Sequence, residues 1–302
     1  MKKLLFVIVL IAVSVCLFSQ KLELMGAGAT FPYPLYSRMF EEYSKIADRV
    51  NYQGIGSGGG INQLIAQTTD FGGTDAIVDP EVEAKSGGTI LHIPTCLGAV
   101  AITYNLQLPN GVLLNFTPDL IADIFMGNIK NWNDKRIAEV NPKVELPKLP
   151  ITVVYRSDGS GTSFIFTEYL SKTNSVWANK IGFGTAVNWV TGIGAKGNPG
   201  VAGTVNQTKG AIGYVELIYA LSNNMPYGIV RNKSGNFITP NMQSVSNAAT
   251  VEIPASTKVS LVDTNHPEGY PISSFTWIIL FQVYIRLKNL VMNCFLNFLI
   301  FE

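Results

Sequence analysis

Charge is scarce in this chain. Charged residues make up 14% of its 302 positions, against about 25% in an average soluble protein. Lys and Arg number 22 and Asp and Glu 21, so no basic field exists to hold nucleic acid. The 47% hydrophobic content excludes a disordered chain, which needs the opposite balance. Cysteine is nearly missing as well. Cys16, Cys96 and Cys294 cannot build a disulfide framework. The two histidines, His92 and His266, leave little for a His-based metal site. Short-period repeats are absent, which excludes a solenoid. Glycine is what the chain has in quantity: 28 residues, gathered in clusters.

Met1-Lys2-Lys3 is a basic start followed by the apolar run Leu4–Val13, which continues to Phe18, and then by the small residue Ser19. That is the pattern of a secretory signal peptide over residues 1–19. An uncleaved anchor is the alternative. Lipid attachment at Cys16 is not expected, because Val15 stands where a small residue belongs. Cleavage removes Lys2 and Lys3, leaving 20 basic residues against 21 acidic ones, a net charge of −1. Only Cys96 and Cys294 would remain, far apart in sequence, so a structural disulfide is not expected. The mature protein is expected in a periplasmic or other extracytoplasmic space.

From Lys21 onward, short apolar runs alternate with glycine-rich turns and longer periodic stretches, the signature of an α/β fold. The length suggests two domains. Strands are expected at Leu22–Met25, Val50–Gln53, Ile90–Ile93, Gly98–Tyr104, Ile151–Tyr155 and Ala211–Val215. Helices are expected near Tyr33–Ile46, Ile61–Thr68, Leu120–Met126 and Ser163–Ser171. Two of the strand-to-helix turns echo each other. Gly28-Ala29-Thr30-Phe31 and Gly161-Thr162-Ser163-Phe164 both combine glycine with hydroxyls, and the turn at Ser57 is a third. A helix N-terminus already favours anions, because its first N–H groups lack partners and its dipole is positive there. Three such cradles without a basic patch point to an anion held by dipoles.

Several familiar motifs fail on inspection. Gly54-Ile55-Gly56-Ser57-Gly58-Gly59 fits G-x-G-x-x-G, and Asp75 follows Gly56 by 19 residues, the spacing of a ribose-binding acid. Yet Arg49–Gln53 is not the buried apolar strand that a dinucleotide fold requires. No P-loop exists. Neither Ser57 nor Ser160 lies in G-x-S-x-G, since Ile55 and Asp158 occupy the first glycine position. A serine hydrolase also needs a base beside its nucleophile, and both histidines read as structural or surface residues.

Arg156-Ser157-Asp158-Gly159-Ser160-Gly161-Thr162-Ser163-Phe164 joins a guanidinium, a carboxylate, glycines and hydroxyls at a strand-to-helix turn. The plain reading is a capped helix, with Ser160 as N-cap and Arg156 on the surface. This segment, however, resembles the phosphate-binding proteins of bacterial phosphate ABC transporters. So do Gly26–Pro32, Tyr52–Gly60, Asp70–Ala76 and Gly210–Glu216. The five motifs stand in family order, and the resemblance runs from about Leu24 to Leu280.

The resemblance implies a two-lobed periplasmic-binding-protein fold of the type II kind, with the ligand in the cleft. It implies a non-enzymatic monomer that binds inorganic phosphate, needs no metal or organic cofactor, and passes the anion to the membrane permease of a phosphate ABC transporter. By the same resemblance, Thr30 and Phe31 supply a hydroxyl and a backbone N–H, and Ser57 supplies both. Asp75 accepts a proton from phosphate. Arg156 forks onto the anion while pairing with Asp158, and Ser160, Gly161 and Thr162 give helix-N-terminal donors. The implied lobes are residues 20–95 and 96–255, with 256–302 returning to the first. A secreted phosphatase-like or nucleotide-using hydrolase, or a receptor for another tetrahedral oxyanion, are the rival functions. After Leu280 the resemblance stops. The tail Phe281–Glu302 is apolar with Arg286 and Lys288 interrupting it, which leaves too short a run to span a membrane. An amphipathic replacement for the lobe's last helices and an aberrant, frame-shifted tail remain alternatives.

Overall fold

The first parallel strand, β1 (Glu23–Gly28), is rich in small residues and is covered from both sides. The computed structural model describes residues 23–109 and 111–282. The expected signal peptide and all of the tail beyond Gln282 lie outside the described residues. Strands β2 (Arg49–Gly54) and β3 (Phe71–Thr74) flank β1, both parallel to it. Helix α1 (Tyr33–Ile46) follows β1 and buries Tyr36, Phe40 and Tyr43, a spacing that marks one helical face. Helix α2 (Ser57–Ile65) follows β2, and the short α3 (Pro80–Lys85) follows β3.

Strand β4 (Ile90–Tyr104) joins the two halves of the molecule. Its first part pairs antiparallel with β11 (Ser273–Phe281), and its last part pairs antiparallel with β8 (Ala211–Glu216). The two strands expected on either side of Pro94 are therefore one. Proline survives inside it because the register shifts opposite Thr276 and Trp277, leaving a bulge where no ladder N–H is needed. Beyond β8 lie β6 (Thr152–Arg156) and β7 (Ile193–Ala195), so the sheet runs β2-β1-β3-β11-β4-β8-β6-β7. A second small sheet holds β5 (Asn115–Phe116), β9 (Ile229–Arg231) and β10 (Phe237–Ile238).

Helices α4 (Pro118–Phe125), α5 (Lys135–Val140), α6 (Gly161–Thr173), α7 (Ser175–Lys180), α8 (Gly197–Gln207), α9 (Leu217–Ser222) and α10 (Met242–Ala248) complete the described chain. Apolar burial is divided between the halves. Tyr36, Phe40, Phe71 and Ile278 form one cluster of the first half, and Leu64, Ile90, Trp277 and Ile279 another. Ile102, Phe125, Trp132, Phe166 and Tyr214 anchor the large cluster of the second half. The segment leading into β11 contributes to both, Leu261 to the former and Val262, Tyr270 and Ile272 to the latter. Strands β1 and β2 lead into helices at their carboxyl ends, as do β6 and β7, which run the opposite way, so the two pairs of helix N-termini face each other from the two halves of the molecule. Among the described residues, no helix is long and apolar enough to cross a membrane.

Candidate anion-binding site

The turns between β1 and α1 and between β2 and α2 bring Thr30, Phe31 and Ser57 to the carboxyl edge of the sheet. Gly56 makes the second turn possible. Its φ of 90° is left-handed, and a Cβ there would strike the Asp158 carboxylate. Phe31 is buried with its ring against Gly98, which orders the preceding turn. The backbone N–H groups of Phe31 and Ser57 have no acceptor among the described residues. The Ser57 hydroxyl accepts from the Asp75 N–H at 3.1 Å and donates to Asp75 Oδ2 at 3.4 Å.

Asp75 follows β3 and is only 2% exposed. Burial pushes its carboxyl from 3.8 up to about 7, against the lowering pull of Thr276, the Arg156 charge and Ser57. Thr276 Oγ1 donates to Asp75 Oδ1 at 2.8 Å from strand β11. Among the described residues Asp75 makes no ion pair.

The second half presents Arg156 at the end of β6. Its plain reading as a surface residue fails, for it is 4% exposed. Nε donates to Asp158 Oδ1 at 2.8 Å and Nη2 to Oδ2 at 2.6 Å, while Nη1 reaches Thr162 Oγ1 at 3.3 Å. One hydrogen stays free on each Nη. Burial works to raise the Asp158 pKa, but the Arg156 bonds and the Gly197 N–H outweigh it and hold the carboxylate below its ordinary value. Ser160 is indeed the N-cap of α6, accepting from the Ser163 N–H at 3.0 Å. Capping uses its oxygen and leaves its O–H to donate. The N–H groups of Gly161 and Thr162, in the first turn of α6, have no acceptor among the described residues.

All nine sequence-predicted residues meet at one place. The Gly58 N–H donates to the Gly159 carbonyl at 2.9 Å, so the two glycine-rich turns touch across the cleft. A Cβ on Gly161 would strike Ser57 Oγ and sit 2.6 Å from Asp75 Oδ2. Unfilled N–H and O–H donors thus ring one buried acceptor, an arrangement that suits a tetrahedral oxyanion carrying a proton.

Three further residues belong to the site. Thr276 could have been suspected from the hydroxyl-rich Ser273–Thr276 inside an otherwise apolar strand. Asn198, at 0% exposure, could have been suspected as an amide within the glycine-rich stretch that opens α8. Tyr219 donates to the Thr30 carbonyl at 2.5 Å, and no local pattern marks it. The histidines stand apart. His92 is buried, its pKa lowered to about 4 by desolvation, and its Nε2 accepts from the Val78 N–H. His266 Nδ1 accepts from the Glu268 N–H. Burial pushes the Cys96 thiol up to about 12, so it is no nucleophile. No group of acidic, histidine or cysteine side chains able to hold a metal occurs among the described residues.

The family model described as the PBP superfamily domain matches residues 19–301, past the point where the motifs end. The phosphate-binding protein PstS of Xylella fastidiosa (strain Temecula1) is 43% identical over 266 residues, covering 87% of this chain and 72% of that protein. PstS of Haemophilus influenzae is 41% identical, covering 87% of this chain and 79% of that protein. The chain belongs to the PstS family of phosphate-binding proteins. Solved structures agree on the fold. A phosphate-bound periplasmic phosphate-binding protein, PfluDING, superposes with a TM-score of 0.70 at 21% identity, covering 91% of this chain and 85% of that one. An ABC-type phosphate transport receptor from Vibrio cholerae gives 0.59 at 18% identity, covering 91% and 93%. The α/β periplasmic-binding-protein fold expected for a PstS protein is the one found.

Proposed function

We propose that this PstS-family chain is an extracytoplasmic receptor that binds inorganic phosphate and delivers it to the membrane permease of an ABC transporter. One observation carries the reading: donors from the N-termini of α1, α2 and α6 surround Asp75, a buried carboxyl with no ion pair of its own among the described residues. A carboxylate beside an anion is unfavourable unless the anion brings a proton. Phosphate near neutral pH carries at least one, and sulfate carries none. Ionised Asp75 gains a short charged hydrogen bond from the first and faces an acceptor clash with the second, so specificity comes from repulsion.

Arg156 supplies the fork, with Asp158 fixing its plane and cancelling its charge. Thr30, Phe31, Ser57, Ser160, Gly161 and Thr162 supply the remaining donors. The lobes are residues 20–95 and 96–255, with 256–302 returning to the first, and residues 1–19 serve as the export signal. The names of the relatives favour a receptor over a hydrolase, and so do two histidines whose ring nitrogens accept from backbone N–H groups.

Isothermal titration of purified, phosphate-stripped protein tests this reading. One phosphate per chain, not displaced by sulfate, is the expected result. Turnover of a phosphate ester would favour the hydrolase, and displacement by sulfate would make this a receptor for another oxyanion.

A further inference from the structure

Asn198 is fully buried at the start of α8, and every polar atom of its side chain is used. Its Oδ1 accepts from the Glu216 N–H at 2.9 Å. That bond fixes the amide, because the flipped orientation would set Nδ2–H against a backbone N–H. Nδ2 must then face the cleft. There it donates one hydrogen to Thr30 Oγ1 at 3.0 Å and the other to Thr162 Oγ1 at 3.1 Å. The backbone N–H of Asn198 adds a second bond to Thr30 Oγ1 at 3.1 Å. On Thr162 the second bond comes from Arg156 Nη1 at 3.3 Å.

A threonine oxygen has two lone pairs and one hydrogen. In both Thr30 and Thr162 the lone pairs are filled by N–H donors that cannot reverse. Neither hydroxyl hydrogen has an acceptor among the described residues. Each hydroxyl is therefore confined to donating.

We infer that Asn198 is a positioning residue for selectivity: it locks the Thr30 and Thr162 hydroxyls as donors, so that neither competes with Asp75 for the proton of the anion. A free hydroxyl adapts to a ligand by rotating, and would accept from a protonated oxygen as readily as donate to a bare one. Two locked hydroxyls cannot, and the proton of the ligand is directed to Asp75. The two bonds to Thr30 also cross the cleft, since Thr30 leaves β1 while Asn198, Thr162 and Glu216 belong to the β6–β8 half. The lock on Thr30 therefore exists only when the halves are together, while the lock on Thr162 lies within the second half. Gly197 extends the device, its N–H holding Asp158 Oδ1 at 3.0 Å behind the Arg156 fork.

This role rests on the phosphate reading, and a double-mutant cycle separates the two. Phosphate affinity is measured by titration for the unsubstituted protein, Asn198→Ala, Thr162→Val and the double variant. Asn198→Ala should weaken phosphate binding about tenfold to a hundredfold, as expected when oriented hydrogen bonds are lost. In the Thr162→Val background the same substitution should cost at least about threefold less, because one of the hydroxyls it orients is gone. Equal losses in both backgrounds overturn the inference, and sulfate competition separates it from a merely structural role: Asn198→Ala should let sulfate begin to compete, whereas weakened phosphate binding with sulfate still excluded overturns the role in selectivity. So would unchanged affinity in Asn198→Ala. Should Asn198→Ala lose its thermal transition, Asn198→Asp carries the test. It keeps the shape and the bond from Glu216 but turns the double donor into an acceptor, so both hydroxyls would swing toward it. Weakened phosphate binding is expected there too, and undiminished binding overturns the role. Failure of the unsubstituted protein to bind phosphate would overturn the phosphate reading itself.

Discussion

Asp75 governs the cleft because it is buried where a charge is costly. In the unfolded chain its carboxyl ionises near 3.8, and in the folded protein with its halves together near 7. The unfolded chain thus releases the proton first as pH rises. The stability that the proton sustains is complete below 3.8 and is lost as pH climbs through 7. Three pH units correspond to about 4 kcal/mol. Asp75→Asn should remove this slope. Chemical denaturation of the phosphate-free proteins at pH 5 and pH 8 reads it directly: the unsubstituted protein should lose a few kcal/mol more than the variant. Parallel profiles would show that water reaches the carboxyl in the empty protein, so that only closure desolvates it. The same variant should retain some phosphate binding while sulfate begins to compete. Unchanged selectivity would remove Asp75 from its role. Gly161 makes the opposite case, a residue chosen for what it lacks. Its Cβ would meet Ser57 and Asp75 only with the cleft closed, and its backbone is helical. Gly161→Ala should cut phosphate affinity by more than about tenfold and leave the unliganded melting temperature within a few degrees.

At the scale of elements, helix α6 does two jobs with one turn. Ser160 caps it through its oxygen, and the adjacent free N–H groups face the cleft. Ser160→Ala should therefore cost about 1 kcal/mol of stability, as N-cap losses do, and should weaken phosphate binding besides. A stability loss with intact affinity would leave Ser160 as a cap alone. Turns of this kind were legible in the sequence because their chemistry is local. Glycine, hydroxyl and helix start stand within a few residues of each other, and so do Arg156 and Asp158. Helix α1 was equally legible from the single buried face of Tyr36, Phe40 and Tyr43. What escaped depends on distant partners. Thr276 reaches Asp75 across 201 positions and Asn198 reaches Thr30 across 168, separations that no local pattern encodes. Strand β4 was split at Pro94 because proline ordinarily breaks a ladder, and the bulge that accommodates it is set by β11.

The molecule as a whole turns these turns into a receptor by dividing them between two halves. Thr30, Phe31, Ser57 and Asp75 stand on one side of the cleft, and Arg156, Ser160, Gly161 and Thr162 on the other. An anion that needs both sets binds the closed arrangement more tightly than an open one, and only this difference can drive closure. Closing an empty cleft buries the Asp75 carboxyl without a proton donor, whereas closing it on phosphate gives that carboxyl one. The contact between Gly58 and Gly159 is then the geometric limit of closure, since a Cβ on Gly159 would already lie 3.2 Å from Gly58 Cα. Gly159→Val keeps every donor but props the halves apart with a branched side chain. In small-angle scattering, the unsubstituted protein should contract when phosphate is added, and Gly159→Val should contract less. Its affinity should fall in step, because an incompletely closed cleft cannot bring both sets of donors onto one anion. Full contraction with undiminished affinity in Gly159→Val would mean that the glycine pair merely accompanies closure and does not limit it.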